Sequence, residues 1–262
     1  MSVKIHPTAI INSGAEIGDN VNIGPYCYVE EKAKIGDGTN LIAFVTIRNY
    51  AEVGANCIIH PYTVIGGEPQ DHGFSNEITR VIVGDNNLIR ENVTINRATG
   101  EGNETRVGNN CFIMDSVHIA HNVKVGDNVT IANKVGLSGY VQVGDHVVFG
   151  GMAGVHQFVR IGSYCMIGGL YRVVKDVPPY TLASGEPLRL TGLNKVGLER
   201  GGLNEEVRRE IYNFYRSLYK SGKLFSQALE EVKANKNSYR PEIQHIIDFY
   251  EGSHRGVTFW GK

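Results

Sequence analysis

The sequence repeats an aliphatic residue at every sixth position, and this period constrains the fold more than any other feature. The repeat runs without a slip over residues 5–65, resumes over 83–95, and runs again over 107–173, with Phe149 as the one aromatic member. Glycine often follows the aliphatic residue, and the fifth position is usually small or β-branched. An amphipathic helix repeats near 3.6 residues and a strand near 2, so neither produces this pattern. A fixed six-residue period is typical of a parallel β-helix.

Three hexads form one coil of a triangular prism, so each 18 residues advance the chain by one layer. We predict an all-β fold with an α-helical tail, in which a left-handed parallel β-helix over residues 1–190 precedes a small C-terminal helical domain over 191–262. Segments 68–80 and 97–106 break the period with Pro, Gly, Asn and charged residues, and we expect them to protrude as loops. The prolines at 178 and 179 predict that the regular strands end near Asp176.

The C-terminal region carries helical signals instead of hexads. Asn204 followed by two glutamates predicts a helix N-cap, and apolar residues follow at helical spacing up to Leu218, before Gly222. A second helix is predicted near 226–234 and a third over 241–250. We expect their aromatic stripe to form the packing core of this domain.

Composition excludes several classes of function. The net charge of −1 gives no general attraction to nucleic acid or to an anionic membrane, and the sequence shows neither a signal peptide nor an apolar span long enough for a bilayer. The cysteines occupy the fifth, inward-facing position of their hexads, which predicts reduced core thiols. We expect a soluble cytoplasmic protein without stable membrane insertion. The cysteines are Cys27, Cys57, Cys111 and Cys165.

The 18-residue coil places His121, Gly139 and Gln157 in one outward-facing column, on successive layers about 4.8 Å apart. Histidine is a general base near neutral pH. A glycine lets substrate approach the main-chain N–H, which can stabilise an oxyanion, and a glutamine can bind a polar ligand. His118 and His156 are predicted to flank this column. The pattern therefore favours acid–base chemistry on an outer edge of the prism.

Other interpretations of these histidines remain open from the residues alone. His121 fits a surface or interface histidine equally well, and a neighbouring subunit's loop could cover it. His118 and His121 with His60 or His156 could bind zinc between subunits, as in the β-helical carbonic anhydrases, but no acidic cluster accompanies them. The column has no serine or cysteine to act as a nucleophile. A catalytically silent β-helical scaffold is the rival of a different class.

Four stretches resemble the UDP-N-acetylglucosamine O-acyltransferase family: HIAH at 118–121, GGMAGVHQF at 150–158, GGL before KDVPPY within 168–180, and GLNKVGLER at 192–200. The resemblance covers essentially the whole chain. It implies transfer of a 3-hydroxyacyl chain from acyl carrier protein to the glucosamine 3-hydroxyl of UDP-N-acetylglucosamine, the first step of lipid A biosynthesis. It also implies a homotrimer with sites between subunits and no metal or cofactor.

The resemblance assigns catalytic roles to single residues. His121 matches the family's general base, Gly139 its oxyanion amide, and His118 a second active-site histidine. Gly169 matches the position that limits the length of the acyl chain.

The resemblance also assigns substrate-binding positions. Asp71 on the first loop matches a residue that binds the acceptor, and His156 and Gln157 match a pair near the sugar nucleotide. Asn194 and Arg200 match residues that hold the nucleotide and the diphosphate. Because the carrier protein is acidic, we expect a basic docking surface near the end of the prism, with these candidates: Arg160, Arg172, Lys175 and Arg189.

Several positions depart from the family pattern. Asn122 stands where many members carry Asp, and Tyr140 stands where the best-known members have His. Asn96 and Pro187 also replace histidines, Gly73 replaces a loop lysine, and Gly201 replaces the second arginine of the tail motif. The acceptor pocket is therefore less cationic and less rich in histidine than usual. This leaves a 3-amino analogue of the UDP-sugar as an alternative acceptor, and another nucleotide-sugar acyltransferase activity as a further one. The sister N-acyltransferase usually carries a domain before its hexads, whereas the hexads here begin at Ile5.

Overall fold

The computed structural model describes residues 2–261, which fold into short strands followed by helices. Strands β1 to β14 span, in chain order, Lys4–Ile5, Ile10–Ile11, Glu16–Ile17, Asn22–Ile23, Tyr28–Val29, Lys34–Ile35, Asn40–Leu41, Thr46–Ile47, Ala51–Val53, Ile58–Ile59, Val64–Gly67, Arg80–Val83, Leu88–Ile89 and Thr94–Asn96. Strands β15 to β28 span Glu104–Val107, Phe112–Ile113, His118–Ile119, Lys124–Val125, Thr130–Ile131, Gly136–Leu137, Gln142–Val143, Val148–Phe149, Gly154–Val155, Arg160–Ile161, Met166–Ile167, Arg172–Val173, Thr181–Ser184 and Arg189–Leu193. The helices are α1 (Lys195–Arg200), α2 (Glu205–Lys220), α3 (Phe225–Ala234) and α4 (Pro241–Glu251), with a 3-10 turn at Lys236–Ser238.

The strands form three sheets, which are the walls of a triangular prism. Wall A runs β1-β4-β7-β10-β13-β16-β19-β22-β25-β27-β28, wall B runs β2-β5-β8-β11-β14-β17-β20-β23-β26, and wall C runs β3-β6-β9-β12-β15-β18-β21-β24. From β1 to β27, each strand pairs in parallel with the strand one coil away, as Ile119 does with Leu137. The turn from a wall A strand to the next wall B strand is called corner AB. The turn from wall B to wall C is corner BC, and the turn from wall C to wall A is corner CA. The predicted left-handed parallel β-helix is confirmed.

The aliphatic column of the hexads fills the interior of the prism. The first-position residues from Ile23 to Val173 are buried, at most 5 % exposed. All four cysteines are free and buried among them, as predicted. Burial raises the pKa of the Cys165 thiol to about 12 and that of Cys111 to about 11. These thiols are therefore core residues with little thiolate character.

The corners require a backbone conformation that most residues avoid. The fourth residue of a hexad has positive φ, as at Asn86 and Asn128, both at 58°. Asparagine tolerates this left-handed region better than most residues. At corner BC the same conformation falls on Asn122 (60°), Tyr140 (62°) and Phe158 (66°). The corner geometry therefore turns these three side chains outward on successive coils.

The two loops lie where the period breaks, but their bounds differ from the prediction. The first loop ends before Arg80, which is the first residue of β12. The second ends at Asn103, because Glu104–Val107 forms β15 and pairs with β12. Thr105 turns inward and is fully buried. The charged residues that suggested a loop up to 106 point outward from a regular strand.

The prism continues past the two prolines, contrary to the predicted end near Asp176. Val177 bridges to Ile161 in parallel, and β27 then pairs in parallel with β25, while β28 turns back antiparallel to β27. Pro178 and Pro179 occupy the turn between these pairings, where a missing N–H breaks no ladder. The predicted domain boundary at residue 190 falls inside β28.

The C-terminal helices pack against this end of the prism. Asn204 caps α2 by accepting from the Val207 N–H, as predicted, and Tyr215 donates to the carbonyl of Pro179 at 2.7 Å. The predicted second and third helices correspond to α3 and α4 within two residues at their ends. Helix α1 was not predicted, since six residues including Gly197 carry no clear period. Within residues 2–261, no helix has the length and apolarity needed to cross a membrane.

Candidate active site

His121, Gly139 and Gln157 lie on successive coils at corner BC. Tyr140 N–H donates to the His121 carbonyl at 3.1 Å, and Phe158 N–H donates to the Gly139 carbonyl at 3.1 Å. The imidazole lies directly over Gly139, because a Cβ built there would be 2.6 Å from both Cε1 and Nε2. The predicted register of these three residues is confirmed. Gly139 must be glycine here, since any side chain would displace the ring.

The Gly139 N–H is a free donor in the part of the chain that is described. Over residues 2–261 it makes no hydrogen bond, whereas the Gly139 carbonyl accepts from Phe158. Gly139 is nevertheless buried under the imidazole rather than bare. A hydrogen-bond donor beside the base is the arrangement needed to stabilise an oxyanion that forms there.

His121 points away from the prism core but is covered by the chain's own first loop. Only 7 % of the residue is exposed. Asp71 places Oδ2 3.7 Å from Nε2, and the Tyr140 ring meets the imidazole edge-on at 5.3 Å. This cover comes from the same chain, whereas the sequence suggested a neighbour's loop. Nε2 therefore faces a carboxylate and the loop surface, where a substrate hydroxyl can approach.

The other imidazole nitrogen is held by Asn122. The two atoms, Nδ1 of His121 and Oδ1 of Asn122, are 2.9 Å apart. The same Oδ1 accepts from both the N–H and the hydroxyl of Thr99 at 2.9 Å. Thr99 belongs to the second loop and lies outside the hexad frame, so sequence reasoning missed it. The second loop thus reaches the site through a side-chain amide.

His118 lies beside His121 on wall B. Its Nδ1 is 2.7 Å from the hydroxyl of Thr94, one coil below. Burial and, to a smaller extent, the charge of His121 lower the pKa of His118. His118 is therefore neutral at physiological pH and can act as a hydrogen-bonding partner rather than as a fixed cation.

His156 and Gln157 lie at the upper end of the same corner. The Arg255 guanidinium donates to Nδ1 of the exposed His156 at 2.9 Å, and Arg255 also donates to the carbonyl of Val174. The half-buried Gln157 carboxamide makes no hydrogen bond within residues 2–261. Arg255 was missed because nothing in the sequence shows that the tail returns to this corner.

Asn194, Arg200 and Gly169 lie at other corners. Both ends of the Asn194 amide are engaged, since it accepts from the Gly197 N–H and donates to the carbonyl of Tyr164 at corner CA. It is thus the N-cap of α1, whose last turn carries the exposed Arg200. Gly169 belongs to corner AB, packed against the backbone of Gly151. A single chain does not bring these three residues to His121.

An open cleft of about 790 Å³ adjoins corner BC on the wall C side. Asn122, Tyr140 and Phe158 form one edge of it, and Lys124 and Arg255 contribute positive charge. Tyr140 stacks on Phe158 at 4.9 Å. Glu104 and Asp176 also line the cleft, whereas His121 and Gly139 do not, so it is an aromatic cleft of mixed charge next to the site.

None of the histidines forms a metal centre in the described chain. His118 is bonded to Thr94, and His60 is 3.1 Å from a carboxylate oxygen of Glu91. Between Ser2 and Gly261, no cluster of three or more His, Cys, Asp or Glu side chains is placed to hold a metal ion.

Two family models match parts of this chain. The family model described as Udp N-acetylglucosamine O-acyltransferase, Domain 2, matches residues 176–258, and the bacterial transferase hexapeptide model matches 2–31, 32–67 and 104–139. The acyl-[acyl-carrier-protein]–UDP-N-acetylglucosamine O-acyltransferase of Akkermansia muciniphila is 52 % identical over 254 residues, which cover 97 % of this chain and 98 % of the relative. The protein of the same name from Chlamydia muridarum is 54 % identical over 255 residues, covering 97 % and 91 %.

Solved structures of this family resemble the chain in both fold and sequence. The crystal structure of UDP-N-acetylglucosamine O-acyltransferase from Moraxella catarrhalis RH4 superposes with a TM-score of 0.91 at 42 % identity, covering 97 % of this chain and 99 % of the other. The similarity spans the prism, both loops and the helical tail. The chain belongs to the UDP-N-acetylglucosamine O-acyltransferase family, and it is an acyltransferase.

Proposed function

We propose that this enzyme transfers a 3-hydroxyacyl chain from acyl carrier protein to the glucosamine 3-hydroxyl of UDP-N-acetylglucosamine, the first step of lipid A biosynthesis. The observation that supports the site most directly is the His121 imidazole stacked on Gly139. Its Nδ1 is occupied by Asn122, and its Nε2 faces the first loop. The donor brings the acyl group as a thioester, so the reaction needs no further cofactor.

The proposed mechanism combines a general base with an oxyanion donor. The sugar hydroxyl oxygen adds to the thioester carbonyl carbon while Nε2 of His121 takes its proton. The negative oxygen that forms accepts a hydrogen bond from the Gly139 N–H. The carbon–sulfur bond then breaks, and the departing thiolate of the carrier takes the proton back from the imidazolium. His118, neutral and adjacent, helps to orient the acceptor.

The acceptor is proposed to bind around corner BC and to a neighbouring subunit. Asp71 accepts from sugar hydroxyls beside Nε2, and Gln157 and His156 contact the sugar nucleotide. Arg200 neutralises the diphosphate with a guanidinium suited to phosphate geometry. Asn194 contributes by capping the helix that presents Arg200.

The acyl chain is proposed to lie along wall B. The outward positions above His118 are Gly136 and Gly154, where an added Cβ would meet nothing within 4 Å. The exposed Met152 and Leu170 border this bare strip at corner AB. This bare strip, with apolar side chains along one edge, therefore leads from His118 toward Gly169, where the acyl chain would end.

The quaternary arrangement and the location are part of the same proposal. We infer a homotrimer, because Arg200 and His121 lie at different corners of one chain. For the acidic carrier protein, Arg172 is the outward residue of the last wall B strand and is exposed, whereas Arg160 is engaged with Phe249. The buried, reduced cysteines fit the cytoplasm.

One observation favours a second candidate acceptor, the 3-amino analogue of the UDP-sugar. The base is paired with the neutral amide of Asn122 rather than with a carboxylate, and a neutral amine is a stronger nucleophile that asks less of its base. Assaying both UDP-sugars decides the point, and a large preference for the hydroxyl sugar would exclude this alternative.

The function is tested by replacing His121 with Ala. Removal of a general base typically lowers kcat by about a hundredfold or more, and we expect unchanged melting temperature and oligomeric state. His60→Ala is the matched control, since His60 is also an outward histidine with a polar partner, although it is half-buried and His121 is buried. Near-normal turnover by His121→Ala would reject the mechanism.

A further inference from the structure

The peptide group of Thr99 forms a closed set of hydrogen bonds with the amide of Asn122. The Thr99 N–H donates to Oδ1 of Asn122 at 2.9 Å, and Nδ2 of Asn122 donates to the Thr99 carbonyl at 3.0 Å. A backbone N–H only donates and a carbonyl only accepts. The two bonds therefore determine which end of the Asn122 amide is oxygen. Thr99 itself is 8 % exposed and cannot readily exchange these partners for water.

The orientation of that amide determines the protonation of the imidazole. Because Oδ1 of Asn122 has no hydrogen to give, Nδ1 of His121 must carry the proton in the 2.9 Å contact between them. In the neutral ring the lone pair is then on Nε2. Nε2 is the nitrogen that faces the first loop and Asp71.

We infer that the Thr99 peptide, acting through Asn122, holds neutral His121 in its Nδ1–H form and keeps Nε2 ready to accept a proton. Thr99 and Asn122 are positioning residues for the base, and the second loop is part of the catalytic machinery. This inference rests on the proposed role of His121, although the protonation state itself is measurable without any assay of activity.

Tyr140 completes the arrangement. The Thr99 hydroxyl donates to Oδ1 of Asn122 at 2.9 Å, so its oxygen accepts from the Tyr140 hydroxyl at 3.0 Å. Tyr140 also packs edge-on against the His121 ring. One residue on the next coil thus restrains both the ring and the loop that orients it.

The same hydrogen bonds explain why an amide, not a carboxylate, occupies position 122 in this chain. An aspartate would still accept from the Thr99 N–H and from His121. Its second oxygen would face the Thr99 carbonyl, which now accepts a hydrogen bond from Nδ2, and two acceptors repel each other. Asn122 is therefore matched to the conformation of the second loop.

The charged and titratable groups around the imidazole come from several elements. Asp71 faces Nε2 from the first loop, His118 adjoins it on wall B, Tyr140 meets its edge, and Lys124 lies in the cleft next to Asn122. A carboxylate introduced at position 122 would add negative charge next to Nδ1 and favour the imidazolium. The unprotonated base would then be lost at a higher pH than in the parent.

The test measures the tautomer directly by ¹⁵N NMR of the full chain labelled with ¹⁵N-histidine, with the His121 signals assigned by their loss in His121→Gln. We expect the Nδ1–H form at neutral pH in the parent and an increased share of the Nε2–H form in Asn122→Ala. In Asn122→Asp the acidic limb of the pH profile of kcat should move up by about one pH unit. Thr99→Val removes the hydroxyl but keeps the two peptide hydrogen bonds to Asn122, so the Nδ1–H form should persist in that variant.

Asn128 supplies the matched control, since it has the same positive φ at an exposed corner. Asn128→Ala and Asn128→Asp should leave the His121 spectrum and the pH profile unchanged. A parent spectrum with the proton on Nε2, or an unchanged tautomer in folded Asn122→Ala, would overturn the inference even if His121→Ala is inactive. The predicted tautomer together with an active His121→Ala would support the inference on the hydrogen bonds and reject the proposed role of His121 as the general base instead.

Discussion

At the scale of single residues, two half-buried histidines make the stability of this protein depend on pH. Burial is the largest cause of the lowered pKa of His118 and of His245. Nδ1 of His245 is 3.1 Å from the Tyr180 hydroxyl. For His245, Asp248 and Asp145 oppose this shift and Arg160 adds to it. Both side chains therefore resist protonation in the folded state more than in the unfolded chain.

His245→Gln should reduce the loss of stability in acid. A histidine with a lowered folded pKa contributes full stability above its unfolded pKa of about 6.5, and that contribution is lost as the pH falls toward the folded value. We expect the melting temperature of the parent to fall between pH 7 and pH 5 and that of the variant to fall less. His254→Gln, at an exposed site in the same tail, should follow the parent. Equal slopes for parent and His245→Gln would contradict this assignment.

What the sequence reveals about single residues depends on whether they lie within the hexad frame. Counting by 18 residues places His121, Gly139 and Gln157 correctly, because the coil length is constant over that stretch. Thr99 and Arg255 lie in a loop and in the tail, where position follows from tertiary packing rather than from period. The burial of His121 also depends on the first loop, whose path the sequence does not specify.

At the scale of elements, corner BC and wall B divide the proposed chemistry between them. The corner carries the polar groups, because its turn residues point outward at positive φ. Wall B carries the bare strip at Gly136 and Gly154, where strand residues alternate between core and exterior. A flat, side-chain-free sheet surface beside a polar corner suits an acyl chain whose reacting end is a thioester.

Gly154→Val should shorten the acyl chain that the enzyme accepts. The added side chain enters open space, so the fold should persist, and each methylene excluded from apolar contact costs about 0.8 kcal/mol. Excluding two carbons should lower kcat/KM for a long acyl donor by about tenfold relative to a shorter one. Competition assays with acyl carrier proteins that carry acyl groups of different chain length measure this ratio.

Two further variants make the acyl-chain test specific. Thr130→Val places the same side chain on wall A and should leave the preference unchanged. Gly169→Ala is less informative, because its Cβ would lie 2.9 Å from the Gly151 carbonyl oxygen and would disturb the backbone. An unaltered chain-length preference in folded Gly154→Val would place the acyl chain elsewhere.

Element boundaries show where periodicity stops being informative. The hexads predict the prism because every coil buries the same aliphatic position, and α2 is predictable from its cap and its apolar spacing. The second loop is overestimated because outward charges on β15 resemble loop composition. Helix α1 is missed because its cap, Asn194, is its only distinct signal.

At the scale of the whole molecule, the prism separates residues that the proposed site requires. Asn194 binds to corner CA through Tyr164 and presents Arg200 there, whereas His121 lies at corner BC, with wall C between them. The chain cannot bend to close this gap, since a stack of hydrogen-bonded coils is rigid along its length. A cyclic trimer can close it, because a heterologous interface places one subunit's corner CA against its neighbour's corner BC.

Mixing two inactive variants tests this arrangement. His121→Ala and Arg200→Ala should each lose most activity, but a subunit of one type can supply what its neighbour lacks. After denaturation and refolding of a 1:1 mixture, random assembly into threefold rings leaves about a quarter of the sites with both residues intact, so about a quarter of the parental activity should return. A mixture of His121→Ala with His121→Gln controls for gains due to refolding itself. No recovery from the first mixture, with trimers present by sedimentation, would mean that one chain forms the complete site and that Arg200 acts elsewhere.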